Sequence, residues 1–322
     1  MSNVTPAQHR QAIWMLLLAN LLWGVSFPLV KALAILQTQL APGSGSWFIT
    51  ASALLPRFSV GALVLGAICW RGVSTLTARE VRQGVGLGVF AVLGMAFQND
   101  GLQFTSASTS AFLTQLYAVM IPAYVALRGR HLPPWSVWVG CGLVLAGVAV
   151  LAHVDWHDFR LGRGEVETLI CSVFFMIQIL WLERKEFAGN RMLPVTVVMF
   201  TVQALAAAGL MAVLFRPGAN LPVVVTNGAW LGLNGILTLV CTLGTFTIMN
   251  VFQPRITATE AGLLYCSEPL FTSLMALFLP ALFAAWGGFA YANETLSFHL
   301  LVGGGLITLA NVIVQLRPPA RP

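Results

Sequence analysis

Ten runs of about 20 mostly apolar residues follow one another along this 322-residue chain, with only short connections between them. A helix needs about 20 such residues to cross a hydrocarbon core about 30 Å thick, and it satisfies its own backbone while doing so. The runs lie at approximately 12–36, 47–70, 82–102, 105–127, 134–152, 165–182, 194–215, 228–252, 258–286 and 297–316. No soluble domain, linker or low-complexity tract fits between them. The expected fold is an all-α integral membrane protein with ten transmembrane helices in one membrane domain.

Charge and cysteine usage point the same way. Charged residues are 9% of the chain and hydrophobic ones 57%, whereas a soluble domain carries about 25% charged residues. A water-facing surface cannot be built from so few charges. The net charge of +6 does not indicate nucleic acid, because the basic residues sit in short loops, where lipid headgroups and insertion topology account for them. Cys69, Cys141, Cys171, Cys241 and Cys266 fall inside apolar runs with no CxxC spacing. They read as small hydrophobes, with neither a zinc site nor a disulfide framework expected. Arg10 before the first run and Ala32-Leu33-Ala34 at its end resemble a cleaved signal. Ile13 to Val30 is longer than the usual apolar core of one, and Lys31 directly precedes the small residues, so a retained first helix is expected.

Orientation follows from the basic residues. With the N-terminus inside, Arg10, Arg71, Arg79, Arg82, Arg128, Arg130, Arg184, Lys185, Arg191, Arg255, Arg317 and Arg321 are cytoplasmic, while Arg160, Arg163 and Arg216 are outside. Lys31 and Arg57 lie within spans. One missed helix would scramble this bias. The chain is therefore expected in the cell (inner) membrane, with both termini cytoplasmic.

Shifted by 150 residues, the chain weakly matches itself. Gln103, Thr109, Ala111, Leu113, Ala126 and Leu127 fall on Gln253, Thr259, Ala261, Leu263, Ala276 and Leu277. Val139-Gly140-Cys141-Gly142-Leu143 resembles Val302-Gly303-Gly304-Gly305-Leu306 at an offset of 163. The additional residues lie around Pro280 to Asn293, so the ninth helix should be long and tilted or kinked. The matched runs are the fourth and the ninth. Five spans apart, they must cross in opposite directions, which is the inverted-repeat plan common among transporters.

Several segments, taken in order, resemble the drug/metabolite transporter superfamily, specifically its EamA-like ten-helix members. They are Leu22-Trp23-Gly24-Val25-Ser26-Phe27, Pro56-Arg57-Phe58, Gly101-Leu102-Gln103-Phe104-Thr105-Ser106-Ala107 and Tyr265-Cys266-Ser267-Glu268-Pro269. The resemblance implies two five-helix repeats, at 1–152 and 163–317, and secondary transport of metabolites, often efflux of amino acids or related compounds. This chain departs from the family pattern at the end of the fourth helix, where Gly129-Arg130 stands in place of Gly-Glu. Asn293-Glu294 keeps the acid in the second half.

Glu268 is the sharpest single feature. A mid-span acid costs about 2.5–3.5 kcal/mol on insertion scales, so it should face a cavity or a partner. It shares a helix face with Ala261, Tyr265 and Thr272. A carboxyl in low dielectric can exchange protons and couple transport to them; the alternative is a structural hydrogen bond beside the break at Pro269. The eighth run presents Asn234, Thr238, Thr242, Thr245 and Met249 as a stripe, with Asn250 nearby. It reads as cavity lining or as interhelical packing.

Other candidates for substrate contact are Trp23, Gln98, Gln115, Tyr117, Gln178 and Trp181. For the polar ones, interhelical hydrogen bonding is the competing reading. Ser110, Thr114 and Tyr117 share one face of the fourth run. Gly24 reads as a site of close helix approach, and Lys31 as a side chain snorkelling to the headgroups. Arg57 reads first as a structural ion pair or carbonyl cap, with an anionic substrate group as the alternative. His153, Asp155, His157 and Asp158 have metal-ligand chemistry but no firm spacing and read as a solvated loop.

No nucleotide-cradling loop, HExxH or paired-carboxylate site is present, so no catalytic residue, metal or cofactor is expected. The reading is a non-enzymatic carrier for a small molecule in the lipid bilayer, with proton or ion coupling open and a monomer sufficient. A lipid-modifying membrane enzyme or a non-transporting scaffold are the alternatives. A channel would need a repeated ring of like charges, which is not visible.

Overall fold

A computed structural model describes residues 5–128, 135–151, 161–182, 184–215, 220–256, 261 and 264–316. Every regular element among them is helical. The first is α1, Pro6–Leu40, opened by a capping box in which Thr5 accepts from the Gln8 amide while Gln8 accepts from the Thr5 amide. At 35 residues it is about 50 Å long, more than a bilayer core requires. Then come α2, Ser46–Ile68, and α3, Ala78–Gly101, the latter opened by a second capping box between Thr77 and Glu80. The fourth predicted run is two helices, α4, Ala107–Thr114, and α5, Tyr117–Arg128. It is followed by α6, Trp135–Leu151, α7, Arg163–Leu182, and α8, Met192–Leu214.

The eighth run, α9, Gly228–Arg255, contains a π-helical segment at Leu239–Gly244. The ninth run is divided twice. Residues 264–265 are helical, Cys266 and Ser267 form a turn, and α10 runs Glu268–Ala276. After a 52° bend comes α11, Leu279–Gly287. Pro269 and Pro280 explain both divisions, since each occupies the first turn of the helix that follows, where a missing N–H costs nothing. The last helix is α12, Phe298–Leu316.

Among the described residues, six helices are long and apolar enough to cross a membrane, and the bent pair makes a seventh if it counts as one span. Three shorter apolar helices, Ala107–Ile121, Trp135–Val150 and Phe298–Ile313, fall where the remaining predicted runs lie. One predicted span needs correction. Run 105–127 carries a turn at residues 115–116 that the sequence does not announce, and run 258–286 is divided where a kink and a break at Pro269 are expected. Gly129, Arg130, His153, Asp155, His157, Asp158, Arg160, Arg216, Thr259, Leu263, Arg317 and Arg321 lie outside the described residues.

Polarity is arranged as lipid would require. Leu63, Ile68, Leu127, Trp138, Leu145, Leu205 and Val213 are exposed, while Asn20, Gln37, Arg57, Gln115, Thr242 and Asn250 are buried. Helix α2 packs on α8, α3 on α7 and α8, and α6 on α12; α1 lies against α9, α10 and α11. At Gly24 the backbones of α1 and α10 come so close that a Cβ would sit 2.8 Å from Phe271 Cβ and 3.0 Å from the Thr272 nitrogen. Small residues permit such contacts between membrane helices.

Both ends of α3 are tied to the second half of the chain. At one end Glu80 meets Arg191, with Arg191 Nε 2.7 Å from Glu80 Oε1 and Nη2 2.9 Å from Oε2. At the other, Arg163 pairs with buried Asp100, and with Glu167 at 2.8 Å. Lys31, expected to snorkel, is instead half-buried and donates to the Thr105 carbonyl.

Candidate functional site

Between α1, α2, α3, α4, α5, α7, α9 and the break before α10 lies a partly open cavity. Trp23, Gln98, Tyr117, Gln178, Tyr265 and Glu268 all line it. They come from five separate predicted runs. Chain breaks help to bring two of these residues inward, since Tyr117 opens α5 and Glu268 opens α10.

Glu268 does not stand alone. Gln115, in the turn between α4 and α5, donates from Nε2 to Glu268 Oε2 at 3.0 Å. Gln115 is fully buried and does not itself line the cavity. The contact thus joins the two interrupted helices at their interruptions. Tyr265 donates its hydroxyl to Gln253 Oε1 at 2.6 Å, and Gln98 donates to Thr114 Oγ1 at 3.1 Å. Trp23 supplies an aromatic wall, edge-on to Phe246 with centroids 5.6 Å apart and to Tyr265 at 6.1 Å. Such pairs hold a rigid, apolar surface.

Three candidates from the sequence lie elsewhere. Trp181 donates from Nε1 to the Gln83 carbonyl at 3.1 Å and packs on Phe90 and Phe187. Thr245 donates to the Cys241 carbonyl of its own helix, and Asn250 donates to Thr196 Oγ1 on α8 at 2.7 Å. Most of the α9 stripe behaves likewise. Asn234 donates to the Ala53 carbonyl on α2, and Thr238 to the Asn234 carbonyl. Met249 is the stripe residue that reaches the cavity.

Other lining residues were passed over in the sequence. Asn99 and Gln253 are buried and line the cavity, with Met95, Phe175 and Phe246 among the apolar walls, and Arg57, for which contact with an anionic substrate group is the alternative reading, lines it too. Gln253 had a signal, since the 150-residue offset aligns it with Gln103. Among the described residues, no group of three or more His, Cys, Asp or Glu side chains is placed to hold a metal ion. Arg57 and Glu268 are the charged members of a wall otherwise apolar or neutral.

Known proteins resemble this chain in sequence and in fold. Residues 10–152 match the model of the EamA-like transporter family. A protein of Archaeoglobus fulgidus named "Uncharacterized transporter" is 24% identical over 307 residues, covering 94% of this chain and 85% of that protein. A solved crystal structure superposes with a TM-score of 0.57 at 20% identity, covering 95% of this chain and 97% of that one; at this identity it speaks for the fold alone. With the family match on its first half, a transporter-named relative along nearly its whole length and a body of apolar helices, the chain is a multi-pass membrane protein that resembles the EamA-like transporter family.

Proposed function

We propose that the chain is a secondary transporter that exports small, partly apolar metabolites, such as amino acids, related compounds or drugs, across the inner or plasma membrane. The observation that carries this reading is the Gln115–Glu268 contact at the cavity, where two interrupted helices meet at their interruptions. Irregular helix turns at membrane depth are tolerated where they line a cavity or are buried in protein, and transporters place their sites at such points.

Ten spans in two inverted halves fit the packing. The second span lies on the seventh and the fifth on the tenth. The third packs on the sixth as the eighth packs on the first, so exchanging the halves reproduces the same neighbours. The two interruptions, at residues 115–116 and 266–267, are themselves separated by 151 residues, close to the sequence offset. Rocking one half against the other would open the cavity to each side in turn, with both termini in the cytoplasm. Trp23, Gln98, Tyr117, Gln178, Tyr265 and Glu268 contact the substrate, and Gln115 positions Glu268, the candidate for proton coupling.

The test is flux through the purified chain in liposomes, using compounds that leave cells when the chain is overproduced. Saturable exchange, accelerated by an imposed pH gradient, is the expected result. Absence of saturable flux for every such compound would sink the carrier reading and return weight to a scaffold or a lipid-modifying enzyme.

A further inference from the structure

Arg57 is 1% exposed and lines the cavity, yet it plays neither structural part that its sequence position suggests. Its hydrogen bond runs from Nε to Thr242 Oγ1. Among the described residues no carboxylate pairs with it and no backbone carbonyl accepts from it. Glu268, the other charged group on the wall, is bonded to Gln115. An arginine stays charged in proteins, and a buried charge without a counter-charge is costly.

The way Arg57 is held leaves a defined face open. Thr242 lies in the π-helical segment of α9, and its hydroxyl donates 2.9 Å to the Leu237 carbonyl, five residues back. With its proton committed there, the oxygen faces Arg57 as an acceptor and pins Nε. The two Nη nitrogens remain without a hydrogen-bond partner among the described residues. They form the flat, two-donor edge that matches a carboxylate. π-Helical turns recur at functional sites for this kind of re-aiming.

We propose that Arg57 is the anion-binding residue of the cavity, and that the carried molecule bears a carboxylate on an apolar body. This rests on the carrier reading and narrows its substrate class. Phe27, Val30, Phe175 and Phe246 on the same wall would take the apolar part.

The experiment measures thermal unfolding of the purified full chain with matched pairs of probes, phenylacetate against phenylacetamide and leucine against leucinamide. The acids should stabilise at concentrations at least about tenfold lower than their amides, the scale of one charge-assisted contact. Arg57→Gln should erase that difference, and Arg57→Lys should keep part of it. Should Arg57→Gln fail to fold, Thr242→Val frees Nε and should reduce the preference several-fold. Equal or absent stabilisation by acids and amides overturns the inference, as does a preference that survives Arg57→Gln or is unchanged in Thr242→Val. Saturable flux of neutral compounds with no preference for acids would remove this inference and leave the carrier reading intact. Acid-selective binding without flux for any compound would do the reverse.

Discussion

The two interrupted helices look alike as backbone and differ in what breaks them. Between α4 and α5 there is no proline. The chain tightens there through bonds to carbonyls three residues back, from the amides of Gln115, Leu116 and Ala118 to Phe112, Leu113 and Gln115. Before α10, Pro269 lacks the N–H that would reach the Tyr265 carbonyl, the Ser267 amide bonds back to the Leu264 carbonyl at 3.0 Å, and side chains add further ties to that oxygen. Asn20 on α1 donates to the Leu264 carbonyl at 2.8 Å, and the Ser267 hydroxyl donates to the same oxygen at 2.6 Å. One break is a local tightening; the other is fixed by a ring and by a neighbouring helix. The acid sits on the fixed one, and the first half offers it a neutral amide. On the proposed reading the two interrupted helices divide the chemistry, with Gln115 as positioning group and Glu268 as the group that changes charge.

The largest expected effect separates these roles. Glu268→Gln should fold and still exchange substrate across liposome membranes, but its flux should no longer respond to an imposed pH gradient. If the response is unchanged, Glu268 is not the coupling group and the division of labour is wrong. The double change Gln115→Glu with Glu268→Gln moves the acid to the softer break. A pH response restored there would mean that the contact itself matters more than which half carries the acid.

A smaller effect is expected from Gln115→Leu, which removes the amide that donates to Glu268. A buried polar group left without its partner costs about 1–3 kcal/mol. Denaturant unfolding in detergent should show a loss of that size, and substrate affinity should weaken as Glu268 loses its fixed orientation. Unaltered stability and affinity would mean that Glu268 is held by something other than this bond.

Helical spans could be read from the chain because apolar runs of membrane length have few alternative folds. Their interruptions were unevenly visible. Pro269 announces one break, whereas Gln115-Leu116 contains nothing that punctuates a helix, since that turn is a product of packing. Trp23, Tyr265 and Glu268 stand out because aromatic and acidic groups at mid-span need a reason, and all three lie on the cavity wall. Thr245 follows from counting along a regular helix and Asn250 from standing beside that stripe. The π-helical segment at Leu239–Gly244 adds a residue to the turn and shifts the face counted through it, so that Met249 reaches the cavity while Thr245 bonds back to its own helix. Trp181 shows a different limit, because spacing places it on a face without saying which neighbour that face meets. For Arg57 the sequence favoured an ion pair, and only the arrangement of helices around it shows that none of the described acids takes that place.

The smallest effect concerns how the soft break is anchored at its far end. Helix α4 begins at Ala107, capped by Ser106, whose hydroxyl accepts from the Thr109 amide at 3.0 Å. A second cap arrives from the other half of the chain, where Glu294 accepts from the Ala107 amide at 2.7 Å and the Ser108 amide at 3.4 Å. The Glu294 amide in turn donates 2.9 Å to the Ala276 carbonyl at the end of α10. One residue therefore ties the start of the first broken helix to the end of the second broken helix's middle segment. Glu294→Gln keeps the shape and removes the charge that suits a helix N-terminus, at a cost of about 0.3–1 kcal/mol. Unfolding midpoints should fall slightly, and less at high salt, because α4 keeps its Ser106 cap. If this carboxylate does no more than cap, transport should be unchanged. A marked change in flux with so small a loss of stability would show that the two breaks move together through Glu294, and that the soft break is not anchored locally after all.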